Sequence, residues 1–445
     1  MVKKFSAKDP SRMLLLTITL TIIIGTMLLA LPISQNQPIK IIDLFFTATS
    51  TTCVTGVLTV PIDNFTLFGK FIIFLLMQIG GVGLVTMSLI LISFFVEIGF
   101  NTQLMASQIL EVDKIKNIKK IFLFIFSFTA IMEILGAIGT FFIIRSDYGF
   151  KEAVFYSFFH SISSFCNAGM TLFHGGIESF SGNFPMLALT SILIFSGGLG
   201  FVVWQELFQF IRAKFSKNHS FFHLSLHTKI ILYFTFMLII ISSVIFFTLE
   251  ANNTLANQTL FQKIYNSVFN GISVRSTGFL TIGFSGLQLA TILYIMIMSF
   301  IGSAPGSTGS GIKTATFAIF LATVHSVLFG RQSVEIFGRK IAQIQIYKAL
   351  TIITLSMSWI IITTFFLLIT EKSFSFLDIL FETTSAFVNL GMQTGITNGI
   401  SNLGKLFLTI TMIIGRIGSL TLILAFLKDS DKVDFSYPEE KVMLS

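Results

Sequence analysis

Eight long apolar runs constrain what this chain can become. They span 13–32, 67–95, 121–145, 186–211, 230–249, 287–328, 346–369 and 405–427. About 20 apolar residues cross the hydrocarbon core of a bilayer as a helix, and there every backbone polar group must be bonded within the protein. The runs therefore predict an all-α membrane protein. Composition agrees: 53% of the residues are apolar and 11% charged, with a mean hydropathy of +0.86. Too little polar surface remains to cover a water-soluble core. A soluble enzyme, a disordered chain and a nucleic-acid binder are excluded, in spite of the net charge of +8. The first run is too long for a cleaved signal peptide, and Leu31-Pro32-Ile33 offers no small-residue cleavage site. The sixth is too long for one simple crossing and contains a polar break.

The basic residues set an orientation. Most of the 29 Lys and Arg fall in the N-terminal arm, in every second connection and in the tail. Lys3, Lys4 and Lys8, then Lys114 and Lys116, then Arg212 and Lys214, then Arg339 and Lys340, and finally Lys428 represent these groups. The positive-inside rule then predicts a multi-pass protein of the cytoplasmic membrane with both termini in the cytoplasm.

The alternate, external connections repeat one another. Each has a moderately apolar stretch, then small polar residues, then glycine. Their ends read Cys53-Val54-Thr55-Gly56, Cys166-Asn167-Ala168-Gly169, Arg275-Ser276-Thr277-Gly278 and Val388-Asn389-Leu390-Gly391. The glycines are 113, 109 and 113 residues apart. The predicted unit is an outer helix, a re-entrant half-helix with its loop, and an inner helix, four times over: 1–100, 101–216, 217–332 and 333–445. Irregular backbone at membrane depth survives only where protein buries it or where it lines a watery cavity. Four such loops around one axis would make a pseudo-fourfold central pore lined with carbonyl oxygens, which can replace the hydration shell of a monovalent cation. Half-helices aiming their C-termini at that axis would favour positive charge there.

These loops, together with Gln78-Ile79-Gly80-Gly81-Val82-Gly83, the stretch from Gly302 through Pro305 and Gly306 to Lys313, and Gly415-Arg416-Ile417-Gly418, resemble the Trk/Ktr/HKT superfamily of potassium translocators. The resemblance covers essentially the whole chain and is nearest to KtrB-type pore subunits. Ala304-Pro305 and Gly309-Ser310 depart slightly from the superfamily's usual pattern. The resemblance implies that the four loops are a potassium-selectivity filter, with Gly56 marking the potassium-selective branch; plant relatives that favour sodium carry Ser there. It also implies a homodimer of pore subunits and a cytoplasmic nucleotide-binding ring of the KtrA/TrkA type. K+ is the expected transported ion, Na+ a candidate coupling or regulatory ion, and no organic cofactor is expected.

Each group has a blander reading beside the functional one. The four glycines could simply end half-helices as C-caps. The stretch 302–313, with Gly302, Ser303, Gly306, Ser307, Thr308, Gly309, Gly311 and Lys313, reads as an intramembrane gate or as a small-residue packing kink. Its free backbone groups are expected to be satisfied beside a watery pore, and Lys313 either belongs to the gate or snorkels to the cytoplasmic side. Arg416, mid-way along the last run, costs at least ~2.5 kcal/mol in a membrane, so it should face inward as a barrier or latch. Arg275 cannot face a cation path, so it is expected behind the loops, with Glu382 as a candidate partner. Glu133 is the acid expected deep in a spanning helix, with no partner evident. Asp43, Glu250 and Glu371 fall among external acids that would either concentrate cations at a mouth or sit solvated. Cys53 and Cys166 are expected as free thiols. No transition-metal site, nucleophile–base pair, Walker motif or dinucleotide fingerprint is found, so no enzyme activity is expected. The competing classes are a secondary carrier for another small solute, a sodium-selective member of the same fold, and a receptor or structural subunit.

Overall fold

The computed structural model describes residues 10–83, 118–215 and 223–418. The N-terminal lysines 3, 4 and 8, the lysines 114, 116 and 217, the first inner run beyond Gly83 and the tail beyond Gly418 lie outside these residues.

Helices dominate. Long apolar helices come first in each unit: α1 (Pro10–Leu29), α4 (Ile118–Ile144), α8 (Leu226–Glu250) and α12 (Gln343–Thr370). All four are long and apolar enough to cross a membrane. Large apolar side chains such as Phe126, Ile240 and Ile361 stand more than half exposed on them, as lipid contact requires. Each is followed by a short helix: α2 (Ile41–Thr52), α5 (Phe150–Phe165), α9 (Leu260–Ser273) and α13 (Phe376–Val388). Local signals start two of these. Thr259 and Gln262 form a capping box on α9, and the Ser375 side chain caps α13. Their C-terminal halves are hydroxyl-rich yet fully buried, as at Thr49, Ser50, Thr51 and Thr52.

The inner elements are α3 (Leu67–Gln78) running into a π turn (Ile79–Gly83), α6 (Phe184–Gly198) with α7 (Phe201–Phe215), α10 (Leu289–Phe300) with α11 (Thr314–Leu328), and α14 (Asn402–Ile417). Glycines interrupt the first three of them, at the π turn, between α6 and α7, and at Gly302. The run 186–211 was expected as one crossing; instead α6 and α7 meet at 99°. The bend sits at Gly200, whose φ of +92° is costly for any residue with a β-carbon.

A cyclic rule orders the units. α3 packs on α5, α6 on α9, α10 on α13, and α14 on α2. Each inner helix thus meets the short helix of the next unit, and the fourth returns to the first. At that closing seam Lys405 Nζ lies 2.7 Å from Asp43 Oδ1, with both side chains buried. The described strands, β1 (Glu335–Ile336) and β2 (Arg339–Lys340), form an antiparallel hairpin after α11.

Candidate functional site

The four short helices end alike, except the third. In three of them an amide two or three residues past the helix end reaches back five positions: Thr55 N to Ser50 O, Ala168 N to Ser163 O, and Leu390 N to Ser385 O, at 2.7–2.9 Å. The residue before each, Val54, Asn167 or Asn389, is left-handed, with φ of 58°, 62° and 53°. This is the Schellman closure, made here with side chains in place of the usual glycine. In the third loop Thr277 N and Gly278 N both reach Ser273 O, and Ser276 is not left-handed.

The cap is therefore complete two residues before each glycine in three of the four loops. Gly56, Gly169, Gly278 and Gly391 are also left-handed, with φ from 68° to 89°. What they permit is close approach between loops. A β-carbon at Gly56 would fall on the Ala168 carbonyl oxygen, one at Gly169 on that of Thr277, and one at Gly278 on that of Leu390. One at Gly391 would lie 2.7 Å from Thr55 O, 3.2 Å from Thr277 O and 3.6 Å from Ala168 O. The carbonyls that precede the glycines thus converge, each loop against the next, in the same cyclic order as the helices.

Extended segments behind the ring hang on the short helices. Ser163 Oγ accepts from Met170 N, Ser385 Oγ donates to Met392 O, and Asn270 holds Thr281 through two hydrogen bonds. Glu382 accepts from Thr394 N and Oγ1, so it does not partner Arg275. Arg275 does lie behind the loops, but its guanidinium donates to Gly302 O and Thr314 Oγ1 at 3.0 and 3.2 Å. A carbonyl and a hydroxyl of the interrupted helix replace the carboxylate expected for it.

Below the ring, glycines bring the inner helices against the short-helix ends. A β-carbon at Gly80 would strike Thr52 O, at Gly197 Phe165 O, and at Gly415 Phe387 O. Gly80, Gly302 and Gly415 each follow their loop glycine by 24 residues. This offset was readable in the sequence as a second repeat signal. At Gly302 the inner helix instead unwinds, and Gly302 packs on Ser310 O.

The unwound stretch 302–313 fills the space between the second and third units. Its backbone groups were expected to need water; protein satisfies many of them instead. Ala304 N donates to Gly198 O, Thr308 N to Gly197 O, and Phe201 N to Gly306 O, at 3.0–3.1 Å. The bend between α6 and α7 supplies these partners. Gly302 N reaches Ile312 O, Ser307 Oγ donates to Ala304 O, and Lys313 Nζ turns back to Gly309 O at 2.7 Å. Gly306 and Gly311 are left-handed, and a β-carbon at Gly309 would strike Ser303 Oγ.

Two side chains tie this stretch to the ring. Asn167 Nδ2 donates to Thr308 Oγ1 at 2.8 Å, while its Oδ1 accepts from Ser276 Oγ and Thr277 Oγ1 at 2.7 Å each. Thr308 Oγ1 in turn donates to Phe165 O. Arg416 donates to Thr308 O at 2.6 Å, Ser310 Oγ at 2.9 Å and Gly81 O at 3.3 Å, and also to Gly80 O. One guanidinium thus fastens the unwound stretch to the first inner helix, beneath the loops. Neither Asn167 as a link nor the bend at Gly200 carried a signal in the sequence.

The acids serve structure. Asp43 pairs with Lys405. Glu250 is fully buried and accepts from Thr254 Oγ1, Gln288 N and Thr291 Oγ1, holding the end of α8 to the start of α10. Glu371 does the same for α12 and α14 through Ser401 N and Oγ. None of the three is a solvated mouth residue. Glu133 is buried and accepts from Gln78 Nε2 at 3.0 Å. Cys53 and Cys166 are free and buried. Among the described residues no cluster of His, Cys, Asp and Glu could hold a metal ion.

Comparison with known proteins gives one answer. The family model described as TrkH, cation transport protein, matches residues 3–435. The Ktr system potassium uptake protein B of Bacillus subtilis is 35% identical over 99% of this chain and 98% of its own length. The potassium/sodium uptake protein NtpJ of Enterococcus hirae is 31% identical over 95% and 94%. The crystal structure of the potassium transporter TrkH from Vibrio parahaemolyticus superposes with a TM-score of 0.73 over 96% of this chain and 86% of that one, at 16% identity, a likeness of fold. On a match that runs almost from end to end, the chain belongs to the TrkH family of cation transport proteins.

Proposed function

We propose that this chain is the ion-translocating pore subunit of a potassium uptake system in the cell membrane. Thr55, Ala168, Thr277 and Leu390 supply the inner ring of carbonyls of its filter. Cys53, Val54, Cys166, Asn167, Arg275, Ser276, Val388 and Asn389 form the layers below, and Gly56, Gly169, Gly278 and Gly391 the ring itself. The observation that carries this reading is the convergence of three carbonyl oxygens within 3.6 Å of one point at Gly391. Such a cluster of partial negative charge suits a dehydrated monovalent cation. Similarity to a potassium uptake protein across both full lengths supports potassium as that cation.

The stretch 302–313 and Arg416 act as the gate. A cation leaving the filter toward the basic end meets a guanidinium held by the loop it would have to displace. Both termini face the cytoplasm, the four units correspond to 1–100, 101–216, 217–332 and 333–445, and the chain works as a homodimer on a nucleotide-binding ring. Sodium acts as a coupling or regulatory ion, a reading supported by the potassium/sodium name of one relative. Rubidium uptake into vesicles containing the purified chain tests the core of this. Uptake blocked by excess K+, weakly affected by organic solutes and altered by sodium is expected. Uptake that organic solutes abolish while K+ does not would overturn it.

A further inference from the structure

The hairpin after α11 makes a costly choice. Its two-residue turn is Phe337-Gly338, with φ of 50° and 70°, so both residues are left-handed. That geometry belongs to the I′ turn, which strongly favours Asn, Asp or Gly at the first position. A phenylalanine there is sterically penalised. Its base is well anchored: Ile341 N donates to Val334 O, and Ser326 of α11 donates to Ser333 O. The turn delivers the Phe337 ring to the flank of α8, edge-on to Tyr233 at 5.6 Å.

Between ring and helix lies an open groove of about 660 Å³. Lys229 stands at one end, followed along α8 by Tyr233, Phe236, Met237 and Ile240. These residues recur at helical spacing on one stripe, which runs for about 16 Å from Lys229 to Ile240 at 1.5 Å per residue. The stripe continues into the exposed apolar face of a membrane-spanning helix. Arg331, Arg339 and Lys340 are exposed on or beside the hairpin, with Glu335 opposite Lys340 as the acid among them. The groove therefore joins a basic head to an apolar trough.

We propose that this groove binds one anionic phospholipid, its phosphate at Lys229 and the basic hairpin, and one acyl chain along Tyr233, Phe236 and Ile240 beneath the Phe337 ring. Charge excludes the obvious alternative. A second copy of this chain docked face to face would bring the same basic patch against itself. A free phosphate would leave the apolar trough without an occupant.

The test uses the full chain, stripped of lipid in detergent and titrated with phosphatidylglycerol or phosphatidylcholine, with bound lipid counted by native mass spectrometry. The parent should retain phosphatidylglycerol in preference to phosphatidylcholine. Lys229→Gln should reduce that preference about fivefold, the factor for one basic residue at an anionic membrane surface. Phe337→Asn removes the ring but suits the left-handed turn, so the hairpin stays formed; retention of both lipids should fall. Equal retention of the two lipids by the parent, or an unchanged preference in Lys229→Gln, overturns the proposal. So does a shift from dimer to monomer in Phe337→Asn without loss of lipid, because the groove would then be a contact between copies.

Discussion

At the scale of single residues, the glycine and a left-handed Val54, Asn167 or Asn389 divide the work in three of the four loops. The glycine admits a neighbouring carbonyl, whereas the left-handed residue two positions earlier ends the helix. Replacing Gly56 by Ser puts a β-carbon on the Ala168 oxygen at a φ of 88°. The misfit costs about 1–3 kcal/mol, and the ring must open at that point. Preference for K+ over Na+ is expected to fall while the protein still assembles, as read by competition of the two ions against rubidium uptake. An unchanged ratio removes Gly56 from the filter. Asn167 predicts a second effect. Thr308→Val keeps shape but removes the hydroxyl that accepts from Asn167 and donates to Phe165 O. Leaving buried partners unsatisfied costs about 1–3 kcal/mol, so the closed state should weaken and rubidium leak should rise up to about a hundredfold. Leak equal to that of the parent, at equal surface expression, would show that this link does not hold the gate. The four glycines were legible from spacing alone. The asparagine link was not, because its partners lie 109 to 141 residues away and no local pattern marks them.

Among elements, the unwound third inner helix and the bent second one are two halves of one arrangement. The loop needs donors and acceptors, and the bend at Gly198–Gly200 frees them. Sequence pattern exposed only the first half: 302–313 is visibly polar, whereas 186–211 is a long, mostly apolar run that conceals its break behind three glycines. Arg416 spans the gap between that loop and the first inner helix, and the shape of the group matters as much as its charge. A guanidinium can donate in several directions in one plane, whereas an ammonium is a point charge. Arg416→Lys keeps the positive charge but cannot bridge Thr308 O and Gly80 O together. If the residue is a latch, both Arg416→Lys and Arg416→Ala should raise basal flux. If it is an electrostatic barrier alone, only Arg416→Ala should. Deleting 303–310 should raise flux further and make the Arg416 variants indistinguishable from their parent, because both act on one closed state. Flux that stays at the parental level in all of these, with normal surface expression, places the gate elsewhere.

The whole molecule is a ring made from one chain, and a ring has a closing seam. Three junctions join units adjacent in sequence; the fourth joins α14 to α2 across 362 residues, at Lys405 and Asp43. Sequence placed Asp43 among the external acids and Lys405 at the start of the last apolar run, and nothing in it joined them, because hydropathy cannot distinguish a charge at a helix end that meets water from one that meets its counter-ion. With both side chains under 10% exposed, breaking the pair leaves an uncompensated buried charge. Lys405→Met should therefore destabilise the folded chain by about 3–5 kcal/mol. Removing both charges is a different experiment, because two well-packed apolar side chains often match or exceed a buried ion pair. Asp43→Leu combined with Lys405→Met is then expected to recover most of the loss, giving a coupling of more than about 2 kcal/mol in a double-mutant cycle read from thermal unfolding in detergent. Because the seam also sets how α14 meets the short helix that carries the first loop, Lys405→Met alone should, on the proposed filter, reduce K+ preference, and the double variant should restore it. Additive losses in the double variant would mean that each residue acts through its own surroundings, and that the ring is closed by the apolar contacts of α14 and α2 without this pair.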